Sequence, residues 1–110
     1  TCVCLYGHTH VPAAFAAEGR RPAALLPDPV EGAAGTAARL KWDRERAWLV
    51  NVGSIGQPRD GDPRAAYGLF DTQTGIVEFR RVEYDIKAAQ EAIRAAGLPE
   101  RLATRLDRGA

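Results

Sequence analysis

Two histidines, His8 and His10, lie two residues apart directly after the apolar segment 1–6. Side chains at the end of one strand can enter the same cleft, and a neutral imidazole nitrogen is a ready ligand for Zn, Mn, Fe, Ni or Cu. Gly7, just before the pair, is expected to let the backbone turn sharply. The pattern therefore indicates a metal site, and hydrogen-bonded surface histidines are the alternative interpretation.

A glycine-punctuated loop over residues 51–61 is the second segment that could carry chemistry. Backbone N–H groups of such a loop can hold an anion, and Arg59 can pair with a phosphate. The alternative is an ordinary turn in which the Asn51 side chain bonds its own backbone. The loop residues expected to lie beside the site are Asn51, Gly53 and Ser54.

Both segments need strands to position them. Alternating apolar residues predict strands over 1–6 (buried), 39–43, 47–52, 67–70 and 76–84, with polar turns at 43–46 and 71–75. In the last strand Val77 and Phe79 differ in parity from Val82, which predicts a bulge at Arg80-Arg81.

Residues 13–38 are rich in Ala, Gly and Pro, and the prolines forbid one continuous helix. We predict a long loop or insertion there. The segment 85–107 predicts two short helices, with Asp85 as the N-cap of the first and Gly97 at its end. Strands and hairpins followed by helices predict an α/β fold of the α+β type.

Composition narrows the class of protein. The chain has 110 residues, 45% of them hydrophobic, and 15 Lys and Arg against 14 Asp and Glu give a net charge of +1. The near-neutral charge gives no indication of nucleic acid, and no apolar run is long enough to span a membrane. Reduced thiols at Cys2 and Cys4 suit a cytoplasmic protein. The chain lacks Met and starts within a strand, so we expect a piece of a longer protein.

The motifs together resemble one family. The segments 7–12 (GHTHVP), 51–64 (NVGSIGQPRDGDPR) and 67–71 (YGLFD) look like the C-terminal part of the calcineurin-like metallophosphoesterases, in the small prokaryotic phosphodiesterase and phosphatase branch. The tail 79–107 is also similar to that branch. The resemblance covers nearly the whole chain except about residues 13–46, and it implies that residues 1–110 are the C-terminal portion of one metallophosphoesterase domain.

The resemblance implies a four-layer αββα sandwich that holds two divalent metal ions (Mn, Fe, Zn or Ni) and hydrolyses phosphoesters with a hydroxide that bridges them. His8 would bind the metal that the family also holds with an Asn and a further His. His10 would bind the other metal, about 3.5–4 Å away. Arg59 would face the substrate phosphate.

This chain departs from the family in lacking the Asp-x-His, Gly-Asp-x-x-Asp and Gly-Asn-His motifs that supply the other ligands. No catalytic residue is therefore assigned within it, and we expect negligible hydrolysis by the chain alone. The missing N-terminal half should pair with an apolar strand face that includes Val50, Val52, Leu69 and Phe79, or the chain should self-associate.

Two other functions are compatible with the residues. One is a non-catalytic interaction domain with a degenerate metallophosphoesterase fold. The other is a small zinc module in which four N and S ligands hold one structural ion. Its ligands would be Cys2, Cys4, His8 and His10.

Overall fold

The computed structural model describes residues 3–18, 21–25, 28–29 and 35–110. It contains strands in two sheets, followed by two short helices, so the α+β prediction is confirmed. The elements are β1 (Val3–Leu5), β2 (Ala13–Glu18), β3 (Arg21–Leu25), β4 (Asp28–Pro29), β5 (Thr36–Lys41), β6 (Ala47–Asn51), β7 (Ala65–Asp71), β8 (Ile76–Val82), α1 (Ile86–Ala95) and α2 (Glu100–Thr104).

The first sheet has the order β1-β6-β2-β3. Strand β1 runs parallel to β6, while β2 is antiparallel to both β6 and β3. Within this sheet β1 is an edge strand, and Leu5 is 59% exposed. The prediction of a buried first strand was therefore wrong, because an edge strand has a neighbour on one side only.

The second sheet is antiparallel throughout, in the order β4-β5-β8-β7. Its inner face packs against the inner face of the first sheet, and the two faces together form the main apolar core. Burial of these side chains is the chief force that holds the sheets together. The core residues are Ala14, Ala16, Leu40, Trp48, Val50, Val77 and Phe79.

The segment 13–38 was predicted to be a long loop, and this was wrong. Strands β2 and β3 form an antiparallel hairpin there, with Ala16 opposite Ala23, and β4 and the first residues of β5 follow. Ala14 and Ala16 are 1% exposed and belong to the core between the sheets. Because alanine has little intrinsic strand preference, the sequence pattern hides this alternation. Residues 19–20, 26–27 and 30–34 lie outside the described part.

The polar turn predicted at 43–46 is present between β5 and β6. Strands β5 and β6 belong to different sheets, so this turn carries the chain from one layer to the other. Asp43 Oδ1 accepts the backbone N–H groups of Glu45 and Arg46, each at 3.0 Å. The backbone carbonyl of Asp43 also accepts the indole N–H of Trp48 at 3.2 Å, which ties the turn to the core.

The bulge predicted at Arg80-Arg81 is also absent from the β7–β8 pair, whose register runs without a break from Ala65–Val82 to Asp71–Ile76. The irregularity lies on β5, between Thr36 and Ala38. Arg81 instead continues the inward face of β8, with only 8% of it exposed. A buried arginine needs a partner of opposite charge, and Arg81 has one, as described below.

The two predicted C-terminal helices are present. The Asp85 carboxylate caps α1 by accepting the Ala88 N–H at 2.9 Å, and Gly97 follows its end with φ at 68°. Helix α2 begins at Glu100, after Pro99. Neither helix has the length or the apolar content that crossing a bilayer requires.

An apolar groove of about 440 Å³ lies on the first sheet, away from the core. Leu49 on this side is 39% exposed. The exposed face predicted from Val50 and Phe79 was wrong, because both side chains point between the sheets and are buried. The lining residues are Cys4, Phe15, Ala16, Ala17, Ala47, Trp48 and Leu49.

Candidate metal centre

The two segments singled out by sequence meet at one edge of the first sheet. Strands β1 and β6 are parallel, so both end at the same edge, and the Tyr6 N–H donates to the Val50 carbonyl at 3.0 Å. The turn 7–10 and the loop 52–64 both start there. The structure therefore brings together the predicted metal and loop residues.

Asn51 joins the two segments. Its side chain is fully buried, and its amide donates to Thr9 Oγ1 at 2.9 Å and to the Gly7 carbonyl at 3.4 Å. Its Oδ1 accepts the Gly53 N–H at 2.9 Å. The alternative in which the Asn51 side chain bonds the nearby backbone is thus correct for its oxygen, Oδ1. Its nitrogen, Nδ2, instead donates to residues of the turn that carries the two histidines.

The backbone of the turn has an unusual conformation at the histidines themselves. His8 and His10 have φ values of 79° and 62°, in the left-handed region that side chains other than glycine rarely occupy. Gly7 does not have a positive φ, and a Cβ there would meet no atom within 4 Å. The expectation that Gly7 makes the turn was wrong. Strain of this kind is typical of functional sites and is held by surrounding contacts.

The loop holds His10 at two points. The His10 ring Nδ1 is 2.8 Å from the carbonyl oxygen of Gln57, and the His10 carbonyl accepts the Arg59 N–H at 3.2 Å. A carbonyl oxygen can only accept, so Nδ1 must carry the hydrogen. In the neutral ring Nε2 then keeps its lone pair.

Several loop amides are already used inside the chain, which limits the predicted anion cradle. The Gln57 N–H donates to Ser54 Oγ at 3.0 Å, and the Gly61 N–H donates to the Gly109 carbonyl at 2.9 Å. Together with those of Gly53 and Arg59, these amides are committed to shaping the loop. These four groups are therefore not free to hold an anion, which agrees with the alternative of an ordinary turn.

Gly53 is required by geometry. Its φ is 97°, and a Cβ there would lie 2.7 Å from the Ala66 Cβ and 3.1 Å from Pro12 Cγ. The backbone carbonyl of the next residue, Ser54, accepts a hydrogen bond of 2.9 Å from the Ala66 N–H. The loop thus packs closely against the start of β7, which ties the site to the second sheet.

Comparison with known proteins shows what this arrangement is similar to. No protein-family model matches the chain. A crystal structure of a metallophosphoesterase from Sphaerobacter thermophilus superposes with a TM-score of 0.78 at 40% identity, over 98% of this chain and 42% of that one. The chain is similar in sequence and in fold to this metallophosphoesterase, and the partial match is consistent with a C-terminal part.

A second protein similar to this chain is the uncharacterized protein MJ0912 of Methanocaldococcus jannaschii. It is 40% identical over 100 residues, which are 91% of this chain and 36% of that protein. The chain therefore spans well under half the length of both relatives.

The histidines fit a metal by the chemistry of their donors. A metal-binding imidazole usually donates its second ring nitrogen to a carbonyl or carboxylate, which fixes the free nitrogen toward the ion. His10 has this arrangement, with Gln57 as the acceptor. Among residues 3–18, 21–25, 28–29 and 35–110, however, no cluster of three or more His, Cys, Asp or Glu side chains could hold a metal. The two histidines would need further ligands.

The remaining candidate ligands and substrate groups do not converge in the same way. Cys4 is an exposed free thiol on β1, and Cys2 lies outside the described residues, so the four-ligand zinc site is not assembled in the described part of the chain. Arg59 is exposed, and its guanidinium contacts Gln57 Oε1 at 3.4 Å. Among the described residues it forms no ion pair, which leaves its charge available to an anion.

An ion pair that sequence reasoning missed lies behind the loop. Arg81 of β8 pairs with Asp60, and these two side chains are 8% and 19% exposed. Arg81 also donates to the Arg64 carbonyl at 3.2 Å and lies 3.8 Å from the Asp62 carboxylate. The signal in the sequence was an Arg at an inward position of a strand, which we interpreted as a bulge.

Asp62 and Arg64 form a second ion pair in the same loop, with 2.7 Å between Arg64 Nη2 and Asp62 Oδ2. Hydrogen bonds from the Arg64 side chain lower the pKa of Asp62 below the ordinary value of an aspartate, and the positive charge of Arg81 adds to the effect. Asp62 therefore stays ionised at neutral pH and helps to hold the segment that follows Arg59.

Proposed function

We propose that this chain supplies His8 and His10 as ligands, one per ion, to a dinuclear metal centre in a phosphoesterase. The observation that carries the proposal is the His10 ring, whose Nδ1–H donates to the Gln57 carbonyl and leaves Nε2 as a free donor atom. Similarity to a metallophosphoesterase in sequence and in fold supports divalent metals and a phosphoester substrate.

Two divalent ions, when bound, would activate a water molecule and neutralise phosphate charge. The chain's own residues prepare the place for them. Asn51 holds the backbone of the histidine turn from inside, and Gln57 sets the direction of the His10 ring. Arg59 extends from the same loop, and its guanidinium would bind the substrate phosphate.

The other metal ligands would come from outside this chain, because within its described residues no cluster of three or more His, Cys, Asp or Glu side chains could hold a metal. We propose that they belong to an N-terminal part of the same domain, of which this chain would be the C-terminal portion. The lengths of the two relatives support this proposal, because the chain spans 36% of one and 42% of the other. The apolar groove on the first sheet supplies a face against which that part would pack.

Metal analysis and kinetics on the complete protein test the ligand assignment. His8→Ala and His10→Ala should each lower the metal content by about one ion per molecule and abolish most phosphoesterase turnover. Gln73→Ala, in the β7–β8 turn, is the control and should change neither quantity. Retention of both metals with near-normal turnover in either histidine variant would sink the assignment.

The alternative of a degenerate interaction domain has a different signature. Such a protein would bind no divalent metal ion at all, whereas the isolated 110-residue chain of a true phosphoesterase should bind metal weakly and hydrolyse a bis-aryl phosphate negligibly. Metal-supported turnover by the isolated chain above that of its His8→Ala/His10→Ala variant would show that the missing ligands are not needed.

A further inference from the structure

Arg81 lies on β8 in the second sheet, and its guanidinium pairs with the Asp60 carboxylate of the loop after β6. The Arg81 side chain is buried, with 8% of it exposed, whereas the Asp60 side chain is 19% exposed and the residue as a whole lies at the surface. Loss of the Asp60 charge would leave the buried Arg81 charge uncompensated, which is costly.

The loop on which Asp60 lies is the same one that contacts His10. The residue before Asp60 is Arg59, whose N–H donates to the His10 carbonyl at 3.2 Å. Two residues further back, the Gln57 carbonyl accepts from the His10 ring at 2.8 Å. Pro58 between them is fully buried and has a restricted backbone. The path from Arg81 to the His10 ring is therefore short and stiff.

From this we infer that Arg81 is a positioning residue: its ion pair with Asp60 fixes the loop that orients the His10 imidazole and selects its Nδ1–H tautomer. The inference concerns the histidine that the proposed function makes a ligand, and it rests on that proposal for its functional meaning. The geometry itself requires no metal, because the contact between Nδ1 and the Gln57 carbonyl belongs to the chain alone.

The contact has a directly measurable consequence. An unrestrained neutral imidazole favours the form with hydrogen on Nε2, whereas the Gln57 carbonyl demands hydrogen on Nδ1. Displacement of the loop would remove that demand and return the His10 ring to its intrinsic preference. Within the described residues the His8 ring makes no hydrogen bond, so it serves as an internal reference in the same spectrum.

The test is ¹⁵N nuclear magnetic resonance of the histidine rings in the metal-free protein, at a pH where both rings are neutral. The Nδ1–H form of His10 should dominate in the unmodified protein. In Arg81→Met it should become the minor form, while the His8 signals stay unchanged. Arg81→Lys should restore part of the original population, because lysine keeps the charge opposite Asp60 but loses the fork-shaped donor.

The matched control is Arg80→Met. Arg80 is the neighbour of Arg81 on β8 and pairs with Glu78 of the same strand at 2.5 Å instead of with the loop. It should leave the His10 tautomer unchanged. A folded Arg81→Met variant with an unchanged His10 tautomer, or an equal change in Arg80→Met, would overturn the inference.

A second variant covers the case in which Arg81→Met does not fold. Asp60→Asn/Arg81→Met removes both charges, so no buried ion is left unpaired. The His10 tautomer should shift in this variant as well, and an unchanged tautomer would again overturn the inference. Zn²⁺ titration of the same proteins should show a loss of about 10-fold in affinity. A tautomer shift without any Zn²⁺ binding would keep Arg81 as the positioning residue and reject the proposed function.

Discussion

The side-chain amide of Asn51 donates a hydrogen bond of 2.9 Å to Oγ1 of Thr9, between the two histidines of the candidate metal centre. Asn51 ends β6, and Thr9 lies in the turn after β1. Two parallel neighbouring strands are thus joined at their ends by one buried side chain. The strained backbone of His8 and His10 is held by this contact from within.

Replacement of Asn51 by Ala should lower the free energy of unfolding by about 1 to 3 kcal/mol, because it removes a fully buried side chain and with it one hydrogen-bond partner each of Thr9, Gly7 and Gly53. Urea denaturation measures the change. Thr9→Val removes one of these bonds and should cost less, while Thr9→Ser keeps the hydroxyl and should cost little. Equal stability of Asn51→Ala and the unmodified chain would contradict the bridging role of Asn51.

Two glycines beside the site should respond differently to Ala. Gly53→Ala places a Cβ 2.7 Å from the Ala66 Cβ at a φ of 97°, so we expect a destabilisation of about 1 to 3 kcal/mol and disturbed loop signals. Gly7→Ala meets open space and should change the free energy of unfolding by a few tenths of a kcal/mol at most. A larger loss for Gly7→Ala than for Gly53→Ala would show that the turn depends on Gly7 after all.

Acid should weaken the loop through Asp62. Its pKa in the folded chain lies below the ordinary value of an aspartate in an unfolded chain, chiefly because the Arg64 side chain donates hydrogen bonds to it. The resulting stabilisation is therefore fully present above about pH 4 and is lost as the pH falls through the lower folded value. Asp62→Asn should flatten the dependence of stability on pH in that range, measured by urea denaturation at several pH values. If the stability of Asp62→Asn depends on pH in the same way as that of the unmodified chain, ionised Asp62 does not contribute to that dependence.

The apolar groove should control association of the isolated chain. Leu49→Lys places a charge in the groove and should reduce both self-association, measured by sedimentation velocity, and binding of a hydrophobic dye. Leu69→Lys is the control: Leu69 is 46% exposed, but it lies on β7 of the other sheet. A compact monomer that binds no dye before any substitution would contradict the prediction.

Local pattern was sufficient for the site's outline. The spacing of His8 and His10 after a strand, and the glycine-rich loop after the next one, identified the two segments that the parallel pairing of β1 and β6 brings together. The sequence also predicted the Asp85 cap of α1 and its end before Gly97, because capping depends on residues within one turn of the helix. These features rest on interactions over a few residues, or on motifs that keep their order along the chain.

Errors arose where a residue's role depends on a distant neighbour. Alternation along residues 13–18 is invisible in a run of alanines, and only the opposing sheet makes Ala14 and Ala16 core residues. The turn 43–46 was predicted correctly as a turn, but its own residues do not indicate that β5 and β6 belong to different sheets.

By itself, the sequence determined the resemblance to metallophosphoesterases, the α+β order of elements and the two histidines that are candidates for metal binding. Only the tertiary structure decided that Arg81 points inward to Asp60, that the Gln57 carbonyl contacts the His10 ring, and that Asn51 ties two turns together. The physical reason is that each of these contacts joins residues 21 to 47 positions apart in the chain. Sequence periodicity reports which way a side chain faces within its own strand, whereas the partner it meets is set by how the two sheets pack.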